Sequence, residues 1–184
     1  MIFIWVLGGL VALIVLMFIV YYNKFVVLGN RIDNSLAQID VQLKKRADLV
    51  PNLVETVKGY VKHEKKVIDE VTKARQVLVG AGDFESRVKA GGKLQQALGG
   101  LFAIAENYPN LKANENFLQL QQELSAIEDR VAYARQFYND SILDYNNSVE
   151  RFPGVIFANL YGQKQKKYLQ IPEENRAIPK VNFN

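Results

Sequence analysis

Reactive side chains are sparse in this chain. His63 is its single histidine and cysteine is absent, which excludes thiolate nucleophiles, disulfides and cysteine zinc sites. An imidazole beside Glu64 could act as a base or a metal ligand, but a metal site wants further histidines or carboxylates at helical spacing. Lys62, Lys65 and Lys66 surround it instead and would repel a cation, so His63 reads as a solvated surface residue. The glycine pairs Gly91-Gly92 and Gly99-Gly100 would need a strand before them and a helix start after them to cradle phosphate. They fall inside a helical pattern, where each glycine costs about 1 kcal/mol against alanine; close helix–helix approach is the expected reason for them. No catalytic residue, cofactor site or metal ligand follows from these types and spacings. The net charge of +4 is spread among interspersed acids and bases, without the concentrated basic stripe and accessible aromatics of a nucleic-acid binder.

Polar residues are harder to dismiss. Tyr138, Asn139, Asp140, Asp144, Asn146 and Asn147 are weak helix formers in a stretch that is otherwise strongly helical. Asn34, Gln38, Asp40, Gln42, Arg46 and Asn52 are similarly dense earlier in the chain. If these groups meet across the fold with Arg130 and Arg135, they form a hydrogen-bond network. Such a network would set register within a subunit, pair one subunit with another, or line a ligand site. The basic run Lys44-Lys45-Arg46 stands some 20 residues beyond the apolar N-terminal run, or roughly 30 Å along a straight helix. That exceeds a Debye length of about 8 Å, so it is not expected to touch lipid. A place near the end of the first helix, where cations complement the dipole, is expected instead.

The elements that must position these groups begin with residues 2–22, an apolar and aromatic run without a charge. Its 21 residues span about 31 Å as a helix, matching a hydrocarbon core of about 30 Å. Ile2, Trp5, Gly8, Ala12, Val20 and Tyr22 are assigned to this transmembrane segment. A cleaved signal would need a basic start and a small-x-small site; neither is present, and Tyr21, Tyr22 and Lys24 form an interfacial edge. Gly8 and Ala12 are a small-xxx-small pair that favours helix association in the bilayer. Lys24, Arg31, Lys44, Lys45 and Arg46 follow the span, so the positive-inside rule places the N-terminus outside and the rest in the cytoplasm.

Beyond the span, Phe25, Leu28, Ile32, Leu36, Ile39 and Leu43 recur at steps of three and four, and the transmembrane helix is expected to run straight into the first bundle helix. Asp48 and Pro51 suit the cap and first turn of a new helix; the alternative is one helix kinked at Pro51, and the break is preferred. The second helix fades at Gly80-Ala81-Gly82, and Asp83 caps a third that ends near Tyr108-Pro109-Asn110. From Asn114, apolar positions Phe117, Leu120, Leu124, Ile127, Val131, Ala134, Tyr138, Ile142, Tyr145, Val149 and Phe152 form a heptad seam shifted once at Tyr138. The expectation is an all-α protein: a transmembrane anchor (1–23), an up-and-down antiparallel four-helix bundle with a long last helix (24–153), and a tail (154–184). In that tail, 155–161 form a short apolar helix, and Pro172 and Pro179 lie in extended chain ending in Val181-Asn182-Phe183.

At this point three blocks become recognisable. Residues 30–60, with Asn30-Arg31-Ile32-Asp33-Asn34-Ser35 and Ala47-Asp48-Leu49-Val50-Pro51-Asn52-Leu53-Val54, closely resemble the signature of the bacterial LemA family. Ala105-Glu106-Asn107-Tyr108-Pro109-Asn110-Leu111 agrees with it, as does Glu128-Asp129-Arg130-Val131-Ala132-Tyr133-Ala134-Arg135, running on to Asp144-Tyr145-Asn146 and Arg151-Phe152-Pro153. Members usually carry a Trp near Ser35-Leu36 and a more hydrophobic run at Leu160-Tyr161-Gly162-Gln163. The resemblance implies a single-pass protein of the bacterial cell membrane with a four-helix soluble region and no established enzymatic activity. It also implies proximity to a membrane zinc protease, and with it an adaptor role in proteolysis.

The expected function is that of a non-enzymatic, membrane-tethered scaffold or adaptor. Its partners would be the lipid bilayer, further copies of itself and other membrane proteins, with no nucleic acid and no cofactor. The rival expectation is a receptor that binds a small ligand or peptide through Asn34, Gln38, Asp40, Arg46, Asn52, Arg130, Arg135, Tyr138, Asn139 and Asn146.

Overall fold

The computed structural model describes residues 1–61 and 64–169. Among these the chain is all-α, with six helices and no strand: α1 (Ile2–Lys58), α2 (Lys65–Gly80), α3 (Phe84–Ala105), α4 (Pro109–Lys112), α5 (Glu115–Glu150) and α6 (Gly154–Leu160). His63, Pro172, Pro179 and residues 181–183 lie outside the described residues. By compactness the chain falls into two units. One unit comprises residues 1–36 and 135–170, and the other contains 37–134; α1 and α5 are long enough to supply both.

In the first unit α1 opens with the apolar segment. It holds the one candidate span among the described residues, with a mean hydropathy of 3.0 over its best window and none of that window buried inside the protein. Ile2, Trp5, Gly8, Ala12, Val20 and Tyr22 are all exposed. The helix continues without interruption into the core formed by Phe25, Leu28 and Ile32 with Ile142, Tyr145, Val149, Phe157 and Ala158. Arg31 reaches Asp144 at 3.2 Å, and Ser35 lies 3.5 Å from Ser141, so α1 and α5 run antiparallel here. Their approach is close at the paired serines, both fully buried.

In the second unit four helical segments pack up-down-up-down. Asp40 binds Arg87, and Leu43 packs on Gly91, so α1 and α3 are parallel. Arg46 binds Glu128, and Tyr60 binds Asn114, so α1 and α5 are antiparallel. The short link 81–83 makes α2 and α3 a hairpin. Asp83 caps α3 by accepting from the Ser86 N–H at 2.9 Å and the Ser86 hydroxyl at 2.6 Å. These bonds favour the charged carboxylate and hold Asp83 below its usual range. Asn114 caps α5 through the Phe117 N–H at 3.0 Å.

The break expected at Asp48–Pro51 does not occur; α1 carries Pro51 in its interior and ends at Lys58. The physical reason is legible in the contacts. Pro51 is exposed, while Ala47, Val50, Leu53, Val54 and Val57 are buried, so one continuous apolar face outweighs the proline. Proline cannot donate to the carbonyl four residues back, and that carbonyl, Ala47 O, accepts from Arg75 Nε at 2.8 Å instead. The chain turns at Gly59–Tyr60, with Val57 O accepting from the N–H groups of both Tyr60 and Val61. The second helix therefore starts at Lys65, well beyond the expected cap.

Two further expectations change. Arg46 does not sit at a helix end complementing a dipole: it is 1% exposed in mid-helix, paired with Glu128 and donating to Gly91 O. Lys44 makes an exposed i,i+4 pair with Asp48 at 3.6 Å, worth a few tenths of a kcal/mol on the order of other such pairs. Close packing explains Gly91, where a Cβ would stand 2.6 Å from Leu43 Cδ2, but Gly92, Gly99 and Gly100 face open space.

Candidate functional site

The polar residues singled out by sequence take part in several distinct contacts among the described residues. Asn34 and Asn52 are exposed. Asp40 is held bidentately by Arg87, at 3.0 and 2.9 Å, and Arg46 by Glu128; neither Arg87 nor Glu128 was expected as the partner. Gln38 and Arg130 line an open groove of about 550 Å³ with Gln42, Asp129, Tyr133 and Ala134. Arg135 is half-buried.

Tyr138, Asn139 and Asn146 are brought together for one task. After α6 the chain turns at Gly162, whose φ of 66° favours glycine, and runs back along α5 as an extended strap (163–169). Asn146 grips it at Lys166: Asn146 Nδ2 donates to Lys166 O at 3.0 Å, and Lys166 N donates to Asn146 Oδ1 at 2.9 Å. Asn139 repeats the grip at Leu169, with its Nδ2 donating to Leu169 O at 3.3 Å and its Oδ1 accepting from Leu169 N at 2.9 Å.

The repeat follows from geometry. Residues 139 and 146 are separated by about 10.5 Å of helix rise. Residues 166 and 169 are about 10 Å apart on an extended chain. Two asparagines seven apart on one helix face thus meet every third residue of an antiparallel strand. Each carboxamide satisfies one N–H and one C=O, as a neighbouring β-strand would.

Tyrosines flank the clasp. Tyr145 OH donates to Gln163 Oε1 at 2.6 Å, and the Lys166 ammonium stands 5.1 Å over the Tyr145 ring. Tyr138 OH donates to Lys167 O at 3.4 Å. Burial pushes both phenols above their ordinary range, with the nearby Asp33 charge adding to the effect at Tyr138, so both remain hydroxyl donors at neutral pH. The side chains of residues 164–168 are exposed; the two asparagines read backbone, and Gln163 and Lys166 add side-chain contacts, both to Tyr145.

No group of three or more His, Cys, Asp or Glu suited to a metal ion occurs among the described residues. The model of the LemA family matches residues 35–183. The chain belongs to the LemA family. Magnetosome protein MamQ 1 of Paramagnetospirillum magneticum is 26% identical over 175 residues, covering 81% of this chain and 64% of its own length. MamQ of Magnetospirillum gryphiswaldense is 27% identical over 173 residues, covering 80% and 64%. Protein LemA of Metamycoplasma hominis is 26% identical over 140 residues, covering 76% and 62%. The chain thus spans somewhat less than two thirds of these relatives. Family membership together with the unburied apolar segment of α1 makes this a membrane-associated protein.

The clasp was missed in the sequence because its ligand, the strap, has no pattern of its own. The one available signal was the seven-residue spacing of Asn139 and Asn146, both weak helix formers, on a single helix face.

Proposed function

We propose that this LemA-family protein is a non-enzymatic adaptor of the cell membrane, with its helical region on the cytoplasmic side, working by protein–protein contact that includes self-association. The observation that carries the reading is the paired carboxamide grip of Asn139 and Asn146 on extended backbone. Backbone hydrogen bonds made this way supply affinity with little demand on sequence, as in recognition by β-strand addition. The strap 163–169 is the resident occupant in cis. A lysine-rich extended segment of a partner, including the same segment of another copy, is the occupant in trans.

The test uses the full chain in detergent micelles and a labelled peptide with the sequence of residues 163–169. Lys166→Pro with Leu169→Pro removes the two N–H donors of the strap and frees the clasp. The parent protein should bind the peptide weakly, the doubly substituted protein tightly. Adding Asn139→Ala and Asn146→Ala to that background should abolish binding, and a peptide of scrambled order should bind within several-fold. Failure of the released protein to bind, or binding indifferent to the two asparagines, refutes the clasp as an adaptor element. Particle mass by light scattering in mild detergent tests self-association separately; a strict monomer without a co-purifying partner refutes that part.

A second reading has one specific observation behind it. Gln42 Oε1 is shielded from solvent without a hydrogen-bond partner, beside the open groove that Gln38, Asp129 and Arg130 line. A small polar donor ligand there would satisfy it; a Gln42→Leu substitution that leaves ligand-screen shifts unchanged would end this reading.

A further inference from the structure

Helix α6 offers an apolar stripe that none of the described residues of its unit covers. Ile156 and Leu160 stand one turn apart and are 49% and 61% exposed, whereas Gly154, Phe157 and Ala158 on the other side are buried. The buried side docks on the end of the apolar segment of α1. Phe157 stacks on Tyr21 with centroids 4.7 Å apart and meets Phe18 edge-on at 5.1 Å. Tyr161 packs edge-on against Phe18, Tyr22 and Phe25, and its hydroxyl donates to Phe18 O at 2.9 Å.

These contacts do not progress along α1. A Cβ at Gly154 would stand 3.2 Å from Tyr21 Cε1, Phe157 meets Phe18 and Tyr21, and Tyr161 meets Phe18, Tyr22 and Phe25. The whole of α6 therefore crosses a window of α1 about 10 Å tall that straddles the end of the span. A segment across a span at the level where the hydrocarbon ends lies in the plane of the membrane interface. Tyr21, Tyr22 and Tyr161 are the amphipathic rings found at that depth, and Lys24, Arg151 and Lys164, all exposed, stand where headgroup phosphates would be.

We propose that α6 is an in-plane interfacial helix, a second membrane contact in which Ile156 and Leu160 insert among the headgroup and upper acyl regions of the bilayer. The occupant is lipid because the stripe is continuous with the span itself: Phe18, the residue on which α6 is pinned, belongs to the uncharged run 2–22. An apolar face beside a membrane-crossing helix gains burial at no cost in association entropy, since the protein is already tethered. The consequence is a defined depth and tilt for the start of the long helices, which a lone span does not fix. This inference rests on the span and not on the asparagine clasp.

The chain has no cysteine, so single-cysteine variants can be spin-labelled directly. Ile156→Cys and Leu160→Cys, both on the exposed side, and Tyr168→Cys on the strap as a control, are reconstituted as full chain in phosphatidylcholine–phosphatidylglycerol vesicles. Collision rates with oxygen and with a water-soluble nickel chelate are read by electron paramagnetic resonance. An unchanged near-ultraviolet dichroism spectrum shows the Tyr21–Phe157 stack intact. The expected result is oxygen access without nickel access at positions 156 and 160, and nickel access several-fold higher at 168. Nickel access at 156 and 160 equal to the control would overturn the proposal by placing the stripe in water. Shielding from both reagents would overturn it equally, because a protein surface would then cover the stripe.

Discussion

Pro51, Ala47 and Arg75 form a three-residue device whose parts can be separated experimentally. Because Pro51 has no N–H, Ala47 O lacks its helical donor, and Arg75 of α2 supplies one at 2.8 Å. Ala47 is 2% exposed and Arg75 half-buried. Leaving such a carbonyl unpaired costs about 1–3 kcal/mol; partial access of water argues for the lower half, about 1–2 kcal/mol. Arg75→Met keeps the aliphatic stem and removes only the donor. At about 2–4 °C per kcal/mol for a chain of this size, the melting temperature should fall by about 2–8 °C. Pro51→Ala restores an N–H at position 51, which bonds Ala47 O within the helix. In that background Arg75→Met should cost less than about 0.5 kcal/mol, giving a coupling on the order of 1 kcal/mol in a double-mutant cycle. Denaturant titration in micelles, followed by circular dichroism at 222 nm, measures all four corners. Equal costs of Arg75→Met in the two backgrounds would refute the argument that Arg75 replaces the helical donor.

Glu128→Gln leaves the Arg46 charge buried in mid-bundle and should destabilise by about 2–4 kcal/mol, whereas Asp144→Asn, which breaks a half-exposed pair with Arg31, should cost under about 1 kcal/mol; unfolding of both variants side by side checks the contrast. Gly154→Ala would drive a methyl group into the Ser148 carbonyl oxygen and should undock α6, seen as loss of the near-ultraviolet signal of the Tyr21–Phe157 stack. Gly92→Ala, facing open space, should instead stabilise by up to about 1 kcal/mol. Asp83 has a folded pKa below its unfolded value of 3.8. Its contribution is therefore complete above that value and is lost as pH falls through the lower, folded one. Asp83→Asn should keep the α3 cap yet flatten stability against pH in that acid window, which denaturation at a series of pH values would reveal.

Much of the fold is written in local chemistry. The uncharged run 2–22, the caps Asp83 and Asn114, the proline at 109 and the heptad seam from Phe117 onward each state their element through nearest neighbours in sequence, and the helices observed begin and end within a few residues of those signals. The LemA signature over residues 30–60 likewise needed only the order of side chains. Where competition between local and distant forces decides, sequence misleads: Pro51 and Asp48 are a good helix start, yet the buried face through Ala47, Val50, Leu53 and Val57, together with a donor from Arg75 28 residues away, keeps α1 whole. Partner choice was also hidden. Which arginine meets Asp40, or which carboxylate meets Arg46, depends on the stagger of helices that no periodicity records. The clasp is the clearest case. Asn139 and Asn146 announce only that two weak helix formers lie seven apart, and their meaning appears when a turn at Gly162 lays an extended segment along them, because a carboxamide pair can recognise backbone only once tertiary structure has brought a backbone there.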